Sequence, residues 1–433
     1  MTINRRDLLT SLGGLAAGAA FTKLGAQLAP ASSLAAAASR HKQGETSVNG
    51  EPEFPRKADF NIAQGYTYIS GAFTHPMPIA AAEAYRRVVD RRATIGAPPG
   101  AEAAPNGPRV DPKAEFAKLI NAKPSEISYI PNTSTGENLV VECLGISKFD
   151  GNVVTDALHF EGALIHLMEL KKQGLDLRVV MPRDDRIDMN DLARVVDNKT
   201  KLIEVSFVSM YNGFQHDLKA VCDLAHAHGA YVYADIIQGV GAIPLDVRAT
   251  GVDFAACATY KWLMGDFGLG FFYVREDLLG RVVQRPHWSY ESATDADIHL
   301  SPFDPEHPKP VTWTPRNDAT GYFTLGTMAS SVAAALGVSI PYIQRLGVEN
   351  IQKHRQPLLE RLHKEMPRFG FTPQTPRDST SPIVTFAHKD TSVIAKKLQA
   401  ARVNIRVAPY WVRIAPSVYN DMQDIERLLA ALD

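Results

Sequence analysis

The sequence predicts an α/β fold, with a large domain built on a mostly parallel seven-stranded sheet and a smaller α+β C-terminal domain. Three observations lead there. Seven short β-rich runs alternate with helical patterns between Ile127 and Arg275. Several of those runs are apolar without interruption, which suits strands covered by helices on both faces. At 433 residues, 45% hydrophobic and 21% charged, the chain has the length for more than one lobe and the proportions of a soluble globular protein.

In order, the runs lie at 127–130, 152–155, 177–180, 202–208, 230–234, 254–257 and 270–275. Helical patterns separate them, such as 217–228, closed by Gly229. Strands alternating with helices imply a parallel arrangement, and ligands of such sheets bind at the carboxyl ends of the strands. Prolines crowd the stretches 52–124 and 302–315, which read as loops and domain joints. Long helices are expected near 328–345 and 348–366, then mixed strand and helix signals to Leu432. The expected division is a leader to residue 65, a large domain over 66–320 and a small domain over 321–433.

The first 38 residues read as a targeting segment. Asn4-Arg5-Arg6-Asp7-Leu8-Leu9 is followed by a small-residue apolar run from Leu12 to Phe21 and an Ala-rich stretch to Ala38. That run is too short to span a bilayer. It reads as a twin-arginine export signal rather than a mitochondrial-type leader. The expectation is therefore a periplasmic or secreted protein, with the twin-arginine translocase as partner during export and no membrane association once mature. A formal net charge of -1 gives no electrostatic case for nucleic acid. The three cysteines, Cys143, Cys222 and Cys257, show no metal or CxxC spacing and read as buried packing residues, with no disulfide and no metal site expected.

The chemistry concentrates at strand ends. Asp235 ends the fifth run, and Lys261, flanked by Tyr260 and Trp262, follows the sixth. A lysine amine that can form a Schiff base with an aldehyde, and a carboxylate that can hold a proton on a pyridine nitrogen, are what pyridoxal 5'-phosphate needs. The blander readings are a strand-end aspartate bonded to backbone amides and a lysine reaching for solvent. Gln238 and Asn212 are candidates for the ring oxygen, Asn212 also fitting an Asn–Gly turn. Thr133, Ser134 and Thr135 sit where a helix begins after the first strand, a place that offers amides and hydroxyls to a phosphate. His159 or Phe160 supplies an aromatic for stacking on the ring. Arg413, inside an apolar strand, needs either a substrate carboxylate or an internal acid. Arg406 and His75 are weaker candidates of that kind.

Together, Asp235-x-x-Gln238, Tyr260-Lys261 and Gly268-x-Gly270 resemble the class V aminotransferase family of fold-type I pyridoxal phosphate enzymes, over roughly Tyr66 to Leu432. The resemblance implies that Lys261 is the Schiff-base lysine, Asp235 the ring-nitrogen partner, Gln238 a ring-oxygen ligand and His159 the stacking group. Thr133 and Ser134 match phosphate positions, and Gly326-Thr327 matches an element that reaches the phosphate of a neighbouring subunit, so a homodimer is implied. Arg413 matches the substrate-carboxylate arginine, and the implied partner is a small-molecule amino-acid substrate. The implied activity is that of an aminotransferase. An isopenicillin N epimerase-like epimerase or a C–S/β-elimination lyase is the alternative, and a non-catalytic secreted binding protein is the rival. A desulfurase is disfavoured, because the segment 401–410 has no cysteine.

Overall fold

A computed structural model of the protein describes residues 52–94 and 110–433. The expected export signal lies outside the described residues. The larger sheet contains β1 (Ile127–Ile130), β2 (Asn152–Asp156), β3 (Asp176–Val180), β4 (Thr200–Ser206), β5 (Tyr231–Asp235), β6 (Phe254–Ala258) and β7 (Gly270–Val274). Their order across the sheet is β1-β7-β6-β5-β4-β2-β3, and only β7 runs against its neighbours. The mostly parallel seven-stranded α/β sheet is therefore as the sequence predicts.

The uninterrupted apolar runs bury both faces, as parallel strands between helical layers must. Ile203, Val205, Val232, Ala234 and Ala255 face one core, which also receives Val332, Leu336, Ile340 and Ile343 of helix Ser330–Leu346. Leu202, Tyr233, Phe254 and Ala256 face the other, closed by helix Thr133–Cys143 through Leu139, Val140 and Cys143. Each such side chain removed from water contributes about 1.5–3 kcal/mol. Gly136 sets how closely that helix approaches the sheet. A Cβ there would lie 2.7 Å from the Ala256 Cβ and 3.2 Å from the Phe272 ring. The helix after β4, Leu218–Ala227, is capped by Asp217, whose side chain accepts from the Ala220 N–H, and Gly229 follows at a φ of 74°. All three cysteines are buried and free.

The proline-rich stretches hold more regular structure than the sequence suggests. Pro78 stands at the start of helix Ile79–Ala93, and Pro112 opens helix Pro112–Leu119, positions where the missing N–H costs nothing. The second stretch contributes to an antiparallel hairpin of β8 (Ala293–Ile298) and β9 (Val311–Pro315), with proline only at its end.

A four-stranded antiparallel sheet contains β10 (Thr372–Pro373), β11 (Val384–Ala387), β12 (Arg406–Ala408) and β13 (Trp411–Ile414), in the order β10-β11-β13-β12. Leu358, Leu359 and Leu362 of helix Val348–Glu365, Leu398 of helix Thr391–Ala400, and Leu428 of helix Met422–Leu432 cover it. Residues Thr67–Tyr68 pair in parallel with Val403–Asn404, and Ser70 bridges Ala415. This early segment then carries Ala72 and His75 across to the larger sheet. Among the described residues, no helix is long and apolar enough to cross a membrane.

Candidate active site

The carboxyl edge of the larger sheet gathers most of the chemistry. Asp235 is the last residue of β5 and is buried. Its Oδ1 accepts from the Ile237 N–H at 3.0 Å. Burial raises its carboxyl to about 6; the Ile237 amide and the Lys261 amine oppose the rise, and Glu137 adds to it. Lys261 follows β6 and is also buried. Burial lowers its amine to about 8; Asp235 opposes the fall and Arg413 reinforces it. The two groups thus sense each other, yet no salt bridge joins them among the described residues. Lys261 is held on a rigid loop. The Met264 N–H donates to its carbonyl at 2.8 Å, and Met264 takes a left-handed φ of 57° that L-residues seldom adopt. Thr259 secures the base of the loop by donating to Leu269 O at 2.9 Å.

Around this pair the other residues fall into three groups. The first lies at the same edge of the sheet. His159 is fully buried, three residues past the end of β2, with Nδ1 2.8 Å from the Ser206 hydroxyl and Nε2 without a partner. Burial pushes its ring down to about 4, so it is neutral at physiological pH. Phe160, the competing aromatic, lies back over the start of its own helix, where a Cβ on Gly162 would be 2.7 Å from its ring. Helix Thr133–Cys143 points its first turn towards the same edge. Asn132 caps it, Oδ1 accepting from the Thr135 N–H at 2.9 Å and the Thr135 hydroxyl at 3.1 Å. The amides of Thr133 and Ser134 have no acceptor within the helix, as geometry requires of its first turn. Tyr260 stacks on Phe267 at 4.5 Å, and the Lys261 Nζ lies 5.7 Å from its ring centroid.

The second group is committed to holding the scaffold. Gln238 donates to Ala72 O at 3.0 Å and accepts from the Trp262 indole at 3.1 Å, which leaves one amide hydrogen. Asn212 donates to Asp185 O at 2.8 Å and accepts from the Phe214 N–H at 3.0 Å, the geometry of an Asn–Gly turn. His75 has both nitrogens engaged, Nδ1 with Pro76 O at 2.8 Å and Nε2 with the Ser417 hydroxyl at 2.6 Å. The third group, Gly326 and Thr327, sits at the surface after helix Ala319–Phe323, the Thr327 hydroxyl 2.9 Å from Tyr290 Oη.

Arg413 is the clearest anomaly. It lies in β13, only 4% exposed, and no acid pairs with it among the described residues. Its Nη1 donates to Met210 O at 2.8 Å, while Nε is unsatisfied. Burial lowers its guanidinium to about 10, and Arg406 lowers it further. Arg406 stands directly opposite on β12, with its guanidinium 5.4 Å over the Phe73 ring. Like charges paired across two strands are unfavourable, and an anion between them would offset the repulsion.

Sequence reasoning did not assign the roles of the residues that orient the site. Asn132, Ser206 and Trp262 had weak but readable signals: an Asx before a helix, a polar residue at alternate spacing on an apolar strand, and an aromatic next to the lysine. The residues present fit pyridoxal phosphate. A buried amine and a buried carboxylate influence each other at one sheet edge, His159 with its unpartnered Nε2 is held by Ser206 in register with Asp235, and the first-turn amides of helix Thr133–Cys143 lack intrahelical acceptors.

The comparisons with known proteins agree with that geometry. The family model described as aminotransferase class-V matches residues 111–428. A probable cysteine desulfurase of Methanothermobacter thermautotrophicus is 32% identical over 252 residues, 58% of this chain and 59% of that protein. A cysteine desulfurase of Escherichia coli is 31% identical over 246 residues, 56% of this chain and 57% of that protein. The chain thus spans less than two thirds of the length of these relatives. The apo structure of cysteine desulfurase from Thermococcus onnurineus NA1 superposes with a TM-score of 0.74 at 21% identity, covering 87% of this chain and 97% of that one. The cystine C–S lyase C-DES, in complex with its reaction product cysteine persulfide, gives a TM-score of 0.70 at 20% identity, covering 85% and 97%. A match to the family model over most of its length means that the chain belongs to the aminotransferase class-V family, whose cofactor is pyridoxal 5'-phosphate.

Proposed function

We propose that the protein is a pyridoxal phosphate-dependent C–S lyase, cleaving the bond between Cβ and sulfur of a cysteine-type amino acid without a protein thiol. The observation that carries the reading is Arg413, a buried guanidinium lacking an acid, near the low-affinity amine of Lys261. When bound, the cofactor supplies an electron sink that acidifies the substrate α-proton and lets a β-substituent depart. Arg413 then holds the α-carboxylate, with Arg406 beside it. Lys261 Nζ, kept partly neutral by burial, anchors the cofactor aldehyde and removes the α-proton. Asp235 accepts the ring N–H. His159, neutral and fixed by Ser206, covers the ring, and the first turn of helix Thr133–Cys143 receives the phosphate.

Sulfur transfer onto the protein needs a thiol that reaches the substrate, and β12 joins β13 through Pro409 and Tyr410 alone. Cys257 lies near Lys261 but is fully buried in β6, and burial pushes its thiol well up, away from the thiolate. The names of the relatives favour C–S chemistry over transamination. Transamination remains the second reading, because the same groups serve both reactions.

The test is to incubate the holoenzyme with cystine, cysteine and alanine. The expected products are pyruvate, ammonia and reduced or persulfidic sulfur from the first two. Keto acid formed with retention of the amino group on the cofactor would select transamination instead. Borohydride treatment is expected to fix the cofactor to Lys261, and Lys261→Ala should abolish both labelling and turnover. We also propose export by the twin-arginine route and a homodimer using Gly326-Thr327. Fractionation with N-terminal sequencing, and light scattering of the mature protein, check the two.

A further inference from the structure

The larger sheet hides acids that neither the core nor the reaction above requires. Alternate residues of β4, Leu202, Glu204 and Ser206, stand in register with Tyr231, Tyr233 and Asp235 of β5. Glu204 is fully buried, and neither carboxyl oxygen has a hydrogen-bond partner. Helix Thr133–Cys143 lies over this face and brings Glu137, only 3% exposed, towards it. Glu137 in turn meets His166 of helix Glu161–Lys172, Oε1 to Nδ1 at 3.1 Å, and the His166 side chain is 21% exposed. The chain of groups therefore runs from Asp235 at the site, past Tyr233, to Glu204 and Glu137, and out through His166 to water.

We propose that Glu204, Glu137 and His166 form a buried proton-holding cluster that sets the charge state of Asp235, acting on the cofactor ring through that residue. An isolated carboxylate among Leu202, Val153 and Tyr233 would cost several kcal/mol, so Glu204 is held as the neutral acid. An apolar side chain would serve packing better at that position. The titratable groups on this face are Tyr233 and Asp235 on the sheet and Glu137 and His166 on the helices, with Lys261 beyond Asp235 and Cys257 on the opposite face of the sheet. Tyr233 does not satisfy Glu204, because its hydroxyl turns to Thr133 O at 3.3 Å. Burial raises both glutamates, and Glu137 raises Asp235 in turn. With Glu137 ionised, a second negative charge beneath Asp235 strengthens its hold on a proton. With Glu137 protonated, that support is gone. The three are positioning residues, and their effect on the ring rests on Asp235 being its nitrogen partner.

The test uses Glu137→Gln, Glu204→Gln and Glu204→Leu. Carboxyl-carbon NMR of the apoprotein, with labelled aspartate and glutamate, reads Asp235 directly. The holoenzyme is followed through the pH midpoint of its visible cofactor band. Glu137→Gln should lower the Asp235 midpoint, as loss of a like charge requires, and move the cofactor band with it. Glu137→Gln should also lower the titration of Glu204, and Glu204→Leu should fold at least as stably as the parent. An Asp235 resonance unmoved by Glu137→Gln, or a Glu204→Leu variant that is destabilised, overturns the proposal. A protein that never acquires a cofactor band sinks the assignment of Asp235 to the ring instead, while the apoprotein titrations still decide the cluster.

Discussion

Replacing Arg413 by Met should make the apoprotein more stable and the enzyme worse. Burial depresses the guanidinium from 12.5 to about 10, which corresponds to about 3 kcal/mol spent on keeping it charged at neutral pH. The single hydrogen bond to Met210 O returns about 1 kcal/mol. Met has nearly the same length and fills the space without a cavity, so net stabilisation of about 1–2 kcal/mol is expected. For a chain of 433 residues that is a rise in Tm of roughly 1–2 °C. Loss of a charge-assisted clamp on the α-carboxylate should lower kcat/KM about 100-fold for an amino acid. The same change should leave the corresponding decarboxylated amine little affected. Calorimetry of the apoprotein and steady-state kinetics on the two substrates check this. A Tm that falls by several degrees, with kcat/KM within twofold of the parent, would show that the arginine serves the fold and refute the reasoning.

Three further outcomes are expected. The Asp235 carboxyl is raised from 3.8 to about 6 by burial, so its contribution to apoprotein stability is full below pH 4 and is lost as pH rises through 6. The loss is about 3 kcal/mol, and urea unfolding at pH 4.5 and 7 should show Asp235→Asn flattening that dependence. Asn132→Ala removes the cap on helix Thr133–Cys143 and should cost about 1 kcal/mol, with weaker binding of the cofactor phosphate measured by fluorescence titration. Gly136→Ala places a Cβ 2.7 Å from Ala256 and should destabilise by about 1–3 kcal/mol in denaturant unfolding, tilting the phosphate-facing turn away.

Much of this was legible in the chain because a covered parallel sheet writes long apolar runs, and function writes polar residues at their ends. Asp235, Lys261 and Arg413 stood out for that reason. Other features depend on partners far apart in sequence. His75 meets Ser417 across 342 positions, and nothing local announces that bond. Gln238 is tied to Ala72 and Trp262 by the path of the segment after Ser70, which only the tertiary fold lays down. The hairpin β8–β9 hid behind its prolines, since proline at a strand end looks the same in sequence as proline in a loop. Glu204 was invisible because one acid in an apolar run reads as an edge residue until its neighbours are seen.

The tight reversal at Pro409 and Tyr410, with Tyr410 at a φ of 69°, has a consequence for where sulfur goes. A long flexible arm there would let an enzyme pick up the atom and deliver it to another protein. A stiff hairpin cannot reach out in that way. Under the proposed chemistry, whatever is liberated leaves as a small diffusing molecule, and any downstream acceptor must capture it from solution.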